Sequence, residues 1–373
     1  MIMMTRSSSR DATSQGRKFR RGIVLLLVIC QCVAVCASYA WGAIPASERA
    51  VLVNLYNSTQ GDGWKNKTNW NGAVGTECTW YGVTCNGMKT HVTDIYLRSN
   101  NLIGTLPSLT DLTYLQYFSV GINKLTGPIP TLAGLRSLWY FDVEVNLLTG
   151  SIPSLSDLSS LQYLHANSNY LTGPIPTLAG LTNLTSVAVV NNRLTGPIPS
   201  LAGLTKLQYF SVTGNQLTGP IPSLTGLSSL NYLYLHYNYL SGDVPAVPSP
   251  NALVSGYSAL CPNYLNHTIS PAWDAATPNK PWYVNCTTAP VRILSGYGYP
   301  DIQMAYDNSV DGNTIEARKD DSASQDLVFD NPVSVKLIGG YDNTFSSNTG
   351  TTLVKGYLKI SHGKVAIANI VIK

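Results

Sequence analysis

Asparagine returns every 23 residues through the middle of this chain, at Asn100, Asn123, Asn146, Asn169, Asn192, Asn215 and Asn238, and the same neighbours travel with it. One unit reads Leu207-x-x-Phe210-x-Val212-x-x-Asn215-x-Leu217-x-Gly219-Pro220-Ile221-Pro222, followed by Leu224 and Leu227. A unit this short cannot bury so many aliphatic side chains alone, so neighbouring coils must stack and share one core. Within each coil the apolar residues around position 210 alternate with period two, which predicts a short strand. Stacking then builds a parallel sheet with strands about 4.8 Å apart. The repeated asparagine is expected to be buried and to bond turn backbone groups of its own coil and the next. Glycine at 127, 150, 173, 196 and 219 permits close turns, and the prolines flanking the isoleucine impose an extended, donor-poor back side.

The pattern L-x-x-L-x-L-x-x-N-x-L-x-G-x-I-P resembles the plant-type leucine-rich repeat of receptor ectodomains and polygalacturonase-inhibiting proteins, over residues 91–245 in seven coils. The unit is one residue shorter than that family's usual one. The resemblance implies an α/β solenoid, mostly parallel β, closed at both ends. Trp64, Trp70, Cys78, Trp80, Tyr81, Gly82, Val83, Thr84 and Cys85 resemble the family's N-terminal cap (residues 41–90), with a helix over 47–57. Cys261 to Cys286, with Trp273 and Trp282, is the expected seal at the other end (residues 246–289).

Beyond that seal the asparagine period stops, and residues 290–373 read as a separate β-rich domain. Asp301 to Tyr306 begins like a capped helix, and strands are expected at 314–317, 326–329, 333–338, 352–354, 357–360 and 365–372. Ile302 to Ala317 and Gly339-Gly340-Tyr341 resemble the opening coils of bacterial pectin-lyase-like β-helices, which makes a bacterial type of protein the expectation. A small β-sandwich is the alternative architecture. Enzymes of that superfamily present carboxylates or a basic residue on later coils, and residues 343–373 contain neither Asp nor Glu. The domain therefore reads as a stalk, attachment or cap module.

Arg17, Lys18, Arg20 and Arg21 precede an apolar run from Ile23 to Ala37, and Ser38, Tyr39 and Ala40 follow it. This is the layout of a signal peptide, residues 1–40, cut after Ala40; an uncleaved anchor is the competing reading. Removing it takes away six basic residues and one acid, leaving 18 basic against 19 acidic. A near-neutral chain lacks the clustered positive charge that nucleic-acid binding requires, and no membrane span is expected after cleavage. Four cysteines remain, as the sequence-local pairs Cys78 with Cys85 and Cys261 with Cys286. In an exported chain an even count points to disulfides, while a four-thiolate zinc site would lack C-x-x-C spacing. The expected location is extracellular or at the cell surface.

Strand positions that do not follow the apolar consensus face out and form columns when coils stack. The first runs through Tyr117, Tyr140, Tyr163, Ser186, Tyr209 and Tyr232. The second comprises Tyr96, Ser119, Asp142, His165, Ala188, Ser211 and Tyr234, and the third Arg98, Gly121, Glu144, Asn167, Val190, Thr213 and His236. An aromatic stripe with few charges suits a sugar or peptide, so Tyr96, Tyr117, Tyr140, Asp142, Tyr163, His165, Tyr209, Tyr232, Tyr234 and His236 are the candidate ligand-binding residues. Tyrosine also favours strands and pairs with itself along a ladder without any ligand. Asp142, Glu144 and His165 invite a catalytic or metal reading, but a carboxylate pair two apart on an open sheet is expected to be solvated, with no converging nucleophile. No catalytic residue, metal site or cofactor is expected, and the partner is a protein or a polysaccharide.

Overall fold

In a computed structural model the chain is described over residues 43–373, apart from 285, 287–289, 295–297, 300, 320–322, 325 and 343–344. The expected signal peptide lies outside the described residues. Among those described, no helix is long and apolar enough to cross a membrane.

Helix α1 (Ala46–Ser58) turns Val51, Leu52, Leu55 and Tyr56 toward the first coil, one residue longer at each end than the cap resemblance implies. Trp70 joins Trp64 and Trp80 in an aromatic cluster, with ring centroids 4.8 and 5.0 Å apart, beneath the Cys78–Cys85 disulfide. The cluster covers apolar side chains of the first coil that would otherwise meet water.

An eight-stranded sheet follows: β1 (Val83–Cys85), β2 (Val92–Tyr96), β3 (Tyr117–Ser119), β4 (Tyr140–Asp142), β5 (Tyr163–His165), β6 (Ser186–Ala188), β7 (Tyr209–Ser211) and β8 (Tyr232–Tyr234). Strand β1 pairs antiparallel with β2, and all later pairs are parallel in a register of 23 residues, as in Tyr117 with Tyr140. The middle residue of β3 to β8 points inward, as does Ile95 of β2, so Ile95, Phe118, Phe141, Leu164, Val187, Phe210 and Leu233 stack in one buried column. Leu97, Val120, Val143, Ala166, Val189, Val212 and Leu235 form a second. The chain is thus a parallel-β solenoid, as expected.

The asparagine ladder locks the coils together. Asn169 donates to the carbonyls of Ala166 and Asn167 in its own coil and of Val143 in the coil before, and its Oδ1 accepts from the Leu148 N–H at 3.0 Å. Each amide therefore reaches back to the preceding coil rather than forward, because the side chain leans against the turn it has just left. Asn263 extends the ladder past Asn238, accepting from the Leu240 N–H at 2.9 Å. Here the spacing lengthens from 23 to 25 residues, which hid this rung from the repeat pattern.

The back side is less bare of hydrogen bonds than its prolines imply. Residues before each Gly-Pro pair make short parallel ladders, one joining Ile103–Thr105, Lys124–Pro128 and Leu147–Thr149, another running from Thr172–Gly173 to Tyr264–Leu265. Gly150 and Gly173 take φ of 74° and 73°, the left-handed turn that glycine was expected to supply.

Helix α2 (Pro271–Ala276), capped by Ser270, presents buried Trp273 to the last coil, and buried Trp282 joins it beside the Cys261–Cys286 disulfide.

Residues 291–370 hold a second core around Ile315, Leu327, Phe329, Leu337 and Val354, with α3 (Ile302–Asp307) capped by Asp301. Strand Thr314–Arg318 pairs parallel with Ser334–Tyr341 and that with Lys364–Ala368, while Thr352–Lys355 and Leu358–Ile360 pair parallel with strands one coil away. These are stacked coils, and among the described residues of this domain the antiparallel pairing a sandwich needs is confined to Val291–Ile293 with its two neighbours. The continuous strand expected over 365–372 is broken at Asn369, whose φ of 56° turns the chain between two sheets.

Candidate functional site

The outward residues of β2 to β8 form an open face on which the tyrosine column splits into two patches. In the first, Tyr117 and Tyr140 stack at 4.3 Å with an interplanar angle of 6°, Tyr163 follows at 5.5 Å, and Tyr96, 47% exposed, lies 6.2 Å from Tyr117. Trp139 stands edge-on to Tyr117 and Tyr163 at 5.6 and 6.1 Å. The sequence reading missed Trp139, although its place in the coil is otherwise taken by Gln116, Gln162, Thr185, Gln208 and Asn231, and an indole among polar side chains was a readable signal. In β6, Ser186 and Ala188 are small and buried, so the aromatic row stops there. It resumes with Tyr209, whose ring lies 6.2 Å from Tyr232 and 5.7 Å from Tyr234; Tyr257 of the C-terminal cap adds a ring 6.2 Å from Tyr232. All the expected tyrosines lie on this face, half-buried apart from Tyr96.

The second and third columns need correction. Ser119, Asp142, Ala188 and Ser211 are buried; of the carboxylate pair expected to be solvated, Asp142 is 1% exposed and Glu144 is half-buried. Arg98 reaches across the intervening coil: its Nη1 meets Asp142 Oδ2 at 2.5 Å and its Nη2 donates to Glu144. Asp142 also accepts from the Ser119 hydroxyl at 2.8 Å and the Glu144 N–H at 3.0 Å. Asn167 donates to Glu144 at 2.9 Å and accepts from the Val190 N–H. The crossing depends on Gly121, where a Cβ would stand 2.4 Å from the Arg98 guanidinium and 2.9 Å from the Asp142 carboxylate. Sequence spacing placed Arg98 and Asp142 44 residues apart in different columns, which concealed the pair.

Partial burial opposes the charge on Arg98, but Glu144 and Asp142 outweigh it and raise its pKa further. Burial likewise pushes Glu144 up, and is overcome by the hydrogen bonds from Arg98 and Asn167, so its pKa lies below the usual value. His165, bonded through Nε2 to the Ser186 hydroxyl at 3.0 Å, is held below the ordinary histidine pKa by desolvation despite the nearby carboxylates. Desolvation also lowers His236, whose Nδ1 lies 3.3 Å from the Thr213 hydroxyl. The carboxylates are paired with Arg98, which fixes these side chains on the face. Both expected disulfides form.

Beside the first patch, Ile122 and Val145 have φ of 55° and 51°, and each is 44% exposed. A β-branched residue is disfavoured in this left-handed region, and the equivalent turn position holds Ser99, Ser168, Asn191, Gly214 and Tyr237 in other coils. The first patch thus gains an apolar rim at the expense of backbone strain.

No family model matches the chain. Among solved structures it is similar to the PEPR1-AtPEP1 complex, at 22% identity and a TM-score of 0.52 over 88% of this chain. It is also similar to the leucine-rich-repeat ectodomain of the plant membrane receptor kinase GASSHO1/SCHENGEN3 from Arabidopsis thaliana, at 24% identity and a TM-score of 0.50 over 87% of this chain. It spans 42% and 41% of those chains. The fold is that of a leucine-rich-repeat ectodomain.

Proposed function

We propose that this is a secreted or cell-surface binding protein that recognises a protein or polysaccharide through the open face of its solenoid. The observation that carries this reading is the row of half-buried tyrosines on that face, joined by Trp139, next to strained and exposed Ile122 and Val145. Rigid aromatic side chains provide large contact area at low entropic cost, and apolar exposure of this kind is maintained where a partner covers it. The GASSHO1/SCHENGEN3 ectodomain was solved in complex with CASPARIAN STRIP INTEGRITY FACTOR 2, and a protein ligand on the present chain fits that precedent. The basic and apolar leader at residues 1–40 and the two disulfides support export.

The test is a glycan-array and peptide-library screen with the chain from residue 41 onward, repeated with Tyr163→Ala and Tyr209→Ala. Weaker capture at unchanged melting temperature is expected. Unchanged capture of every hit would remove the open face as the binding surface.

A second reading, an adhesin with the solenoid as spacer, is supported by the separate core of residues 291–370. Deleting residues 291–373 then releases the protein from the cell surface into the medium, whereas full retention counts against an attachment role.

A further inference from the structure

A second concavity lies over the edge of the last coils, off the open face. Tyr237, Tyr239 and Tyr264, with Pro262, wall a cavity of about 270 Å³ floored by Asn238 and Asn263. None of the described residues lining it is acidic or basic. The floor is rigid because both amides are spent on the ladder: Asn238 bonds Val212, Leu235 and Leu217, and Asn263 bonds Leu235, Leu260 and Leu240. The Tyr239 and Tyr264 rings stack 6.1 Å apart within 12° of parallel.

Tyr237 occupies the turn position that Ile122 and Val145 hold in earlier coils, here with an aromatic ring. Its φ is 57° and it is 62% exposed, so a bulky aromatic is held in a strained conformation with its ring mostly in water. Folding gains little from such a side chain, while the same turn one coil earlier is made by Gly214 at φ 67°. The ring lies 5.2 Å from His236, which links the cavity to the edge of the second tyrosine patch.

We infer that this cavity is a subsite for one neutral sugar ring. The absence of charge in its lining matches neither phosphate nor a charged peptide group. Phenolic faces take the apolar C–H face of a pyranose, and phenolic hydroxyls take its hydroxyls. The inference stands on the cavity and on Tyr237, independently of what the open face binds.

The experiment uses the full chain, with glucose, galactose, mannose and N-acetylglucosamine at millimolar concentration as probes and saturation-transfer NMR as readout. Transfer to the ring C–H protons of at least one sugar is expected. Tyr237→Gly removes the ring and relieves the left-handed strain, so sugar affinity should fall by roughly tenfold or more while the melting temperature holds or rises. Tyr357→Ala, an exposed tyrosine outside both surfaces, should leave the sugar signal intact; loss in Tyr237→Gly reports the subsite, whereas the capture screen with Tyr163→Ala and Tyr209→Ala reports the open face. The inference is overturned if no neutral sugar receives saturation, if Tyr237→Gly binds as the parent does, or if N-acetyl-phenylalanine amide binds more tightly than every sugar.

Discussion

One repeat builds both aromatic patches on the open face, yet they differ in what lies among the rings. Between Tyr96 and Tyr163 the surface encloses a network in which Arg98 spans Gly121 to hold Asp142 and Glu144. Between Tyr209 and Tyr234 the neighbours are Ser211, Thr213 and His236, with no ion pair among the described residues. Tyrosine in one column is what copying of a repeat would leave behind in any case. A glycine in one coil that admits an arginine from the coil before to a carboxylate in the coil after is a coordinated departure from the repeat, and it marks the first patch as a rigid, preorganised surface. The second patch, held by weaker hydrogen bonds, has more freedom to adapt.

The largest expected effect follows from removing the cation. Arg98→Ala leaves Asp142 buried without its partner and should cost about 3 kcal/mol in urea unfolding. Thr213→Ala in the second patch should cost under about 1 kcal/mol; equal losses would erase the distinction. Gly121→Ala places a Cβ against the crossing guanidinium, for an expected loss of about 2 kcal/mol, and Arg98→Ala should relieve much of it in the double variant. Additive losses would show that the two residues do not meet.

Acid should loosen the first patch. Because the folded state holds His165 below the ordinary value near 6.5, the unfolded chain takes up that proton first, and stability should fall as pH drops through about 6.5. Glu144 contributes stability that is present above about pH 4.3 and is lost as pH falls below it. Melting temperatures from pH 7.5 to 5.5 should decline less in His165→Gln than in the parent, and parallel curves would exclude this role. The smallest effect is a gain: Val145→Gly should stabilise by about 0.5 to 1 kcal/mol, while Gly214→Val at the equivalent turn should destabilise. A loss in Val145→Gly would mean that the turn is unstrained.

The solenoid was legible because a 23-residue period and an alternating strand pattern leave only one way to bury Phe118, Phe141 and Phe210 together. The tyrosine columns followed from the same alternation. Side-chain length escaped it: Arg98 reaches across one intervening coil, so a column reading that pairs only direct neighbours misses Asp142. The ladder rung at Asn263 escaped because a cap loop changed the spacing. The C-terminal strands were readable as strands, and stacked coils were the expectation from the β-helix resemblance; their register, as in Leu337 beside Ile315, rests on contacts that no local pattern encodes.

Hydroxyl-radical footprinting of the free protein, read by mass spectrometry residue by residue, most directly tests the claim that the strands turn tyrosines outward and phenylalanines into a dry core. Tyr96 should oxidise fastest and Tyr117, Tyr140, Tyr163, Tyr209 and Tyr232 measurably, with Phe118, Phe141 and Phe210 untouched until the chain unfolds. Oxidation of the phenylalanine column at rates comparable to the tyrosines, or tyrosines protected as deeply as the phenylalanines, would contradict it.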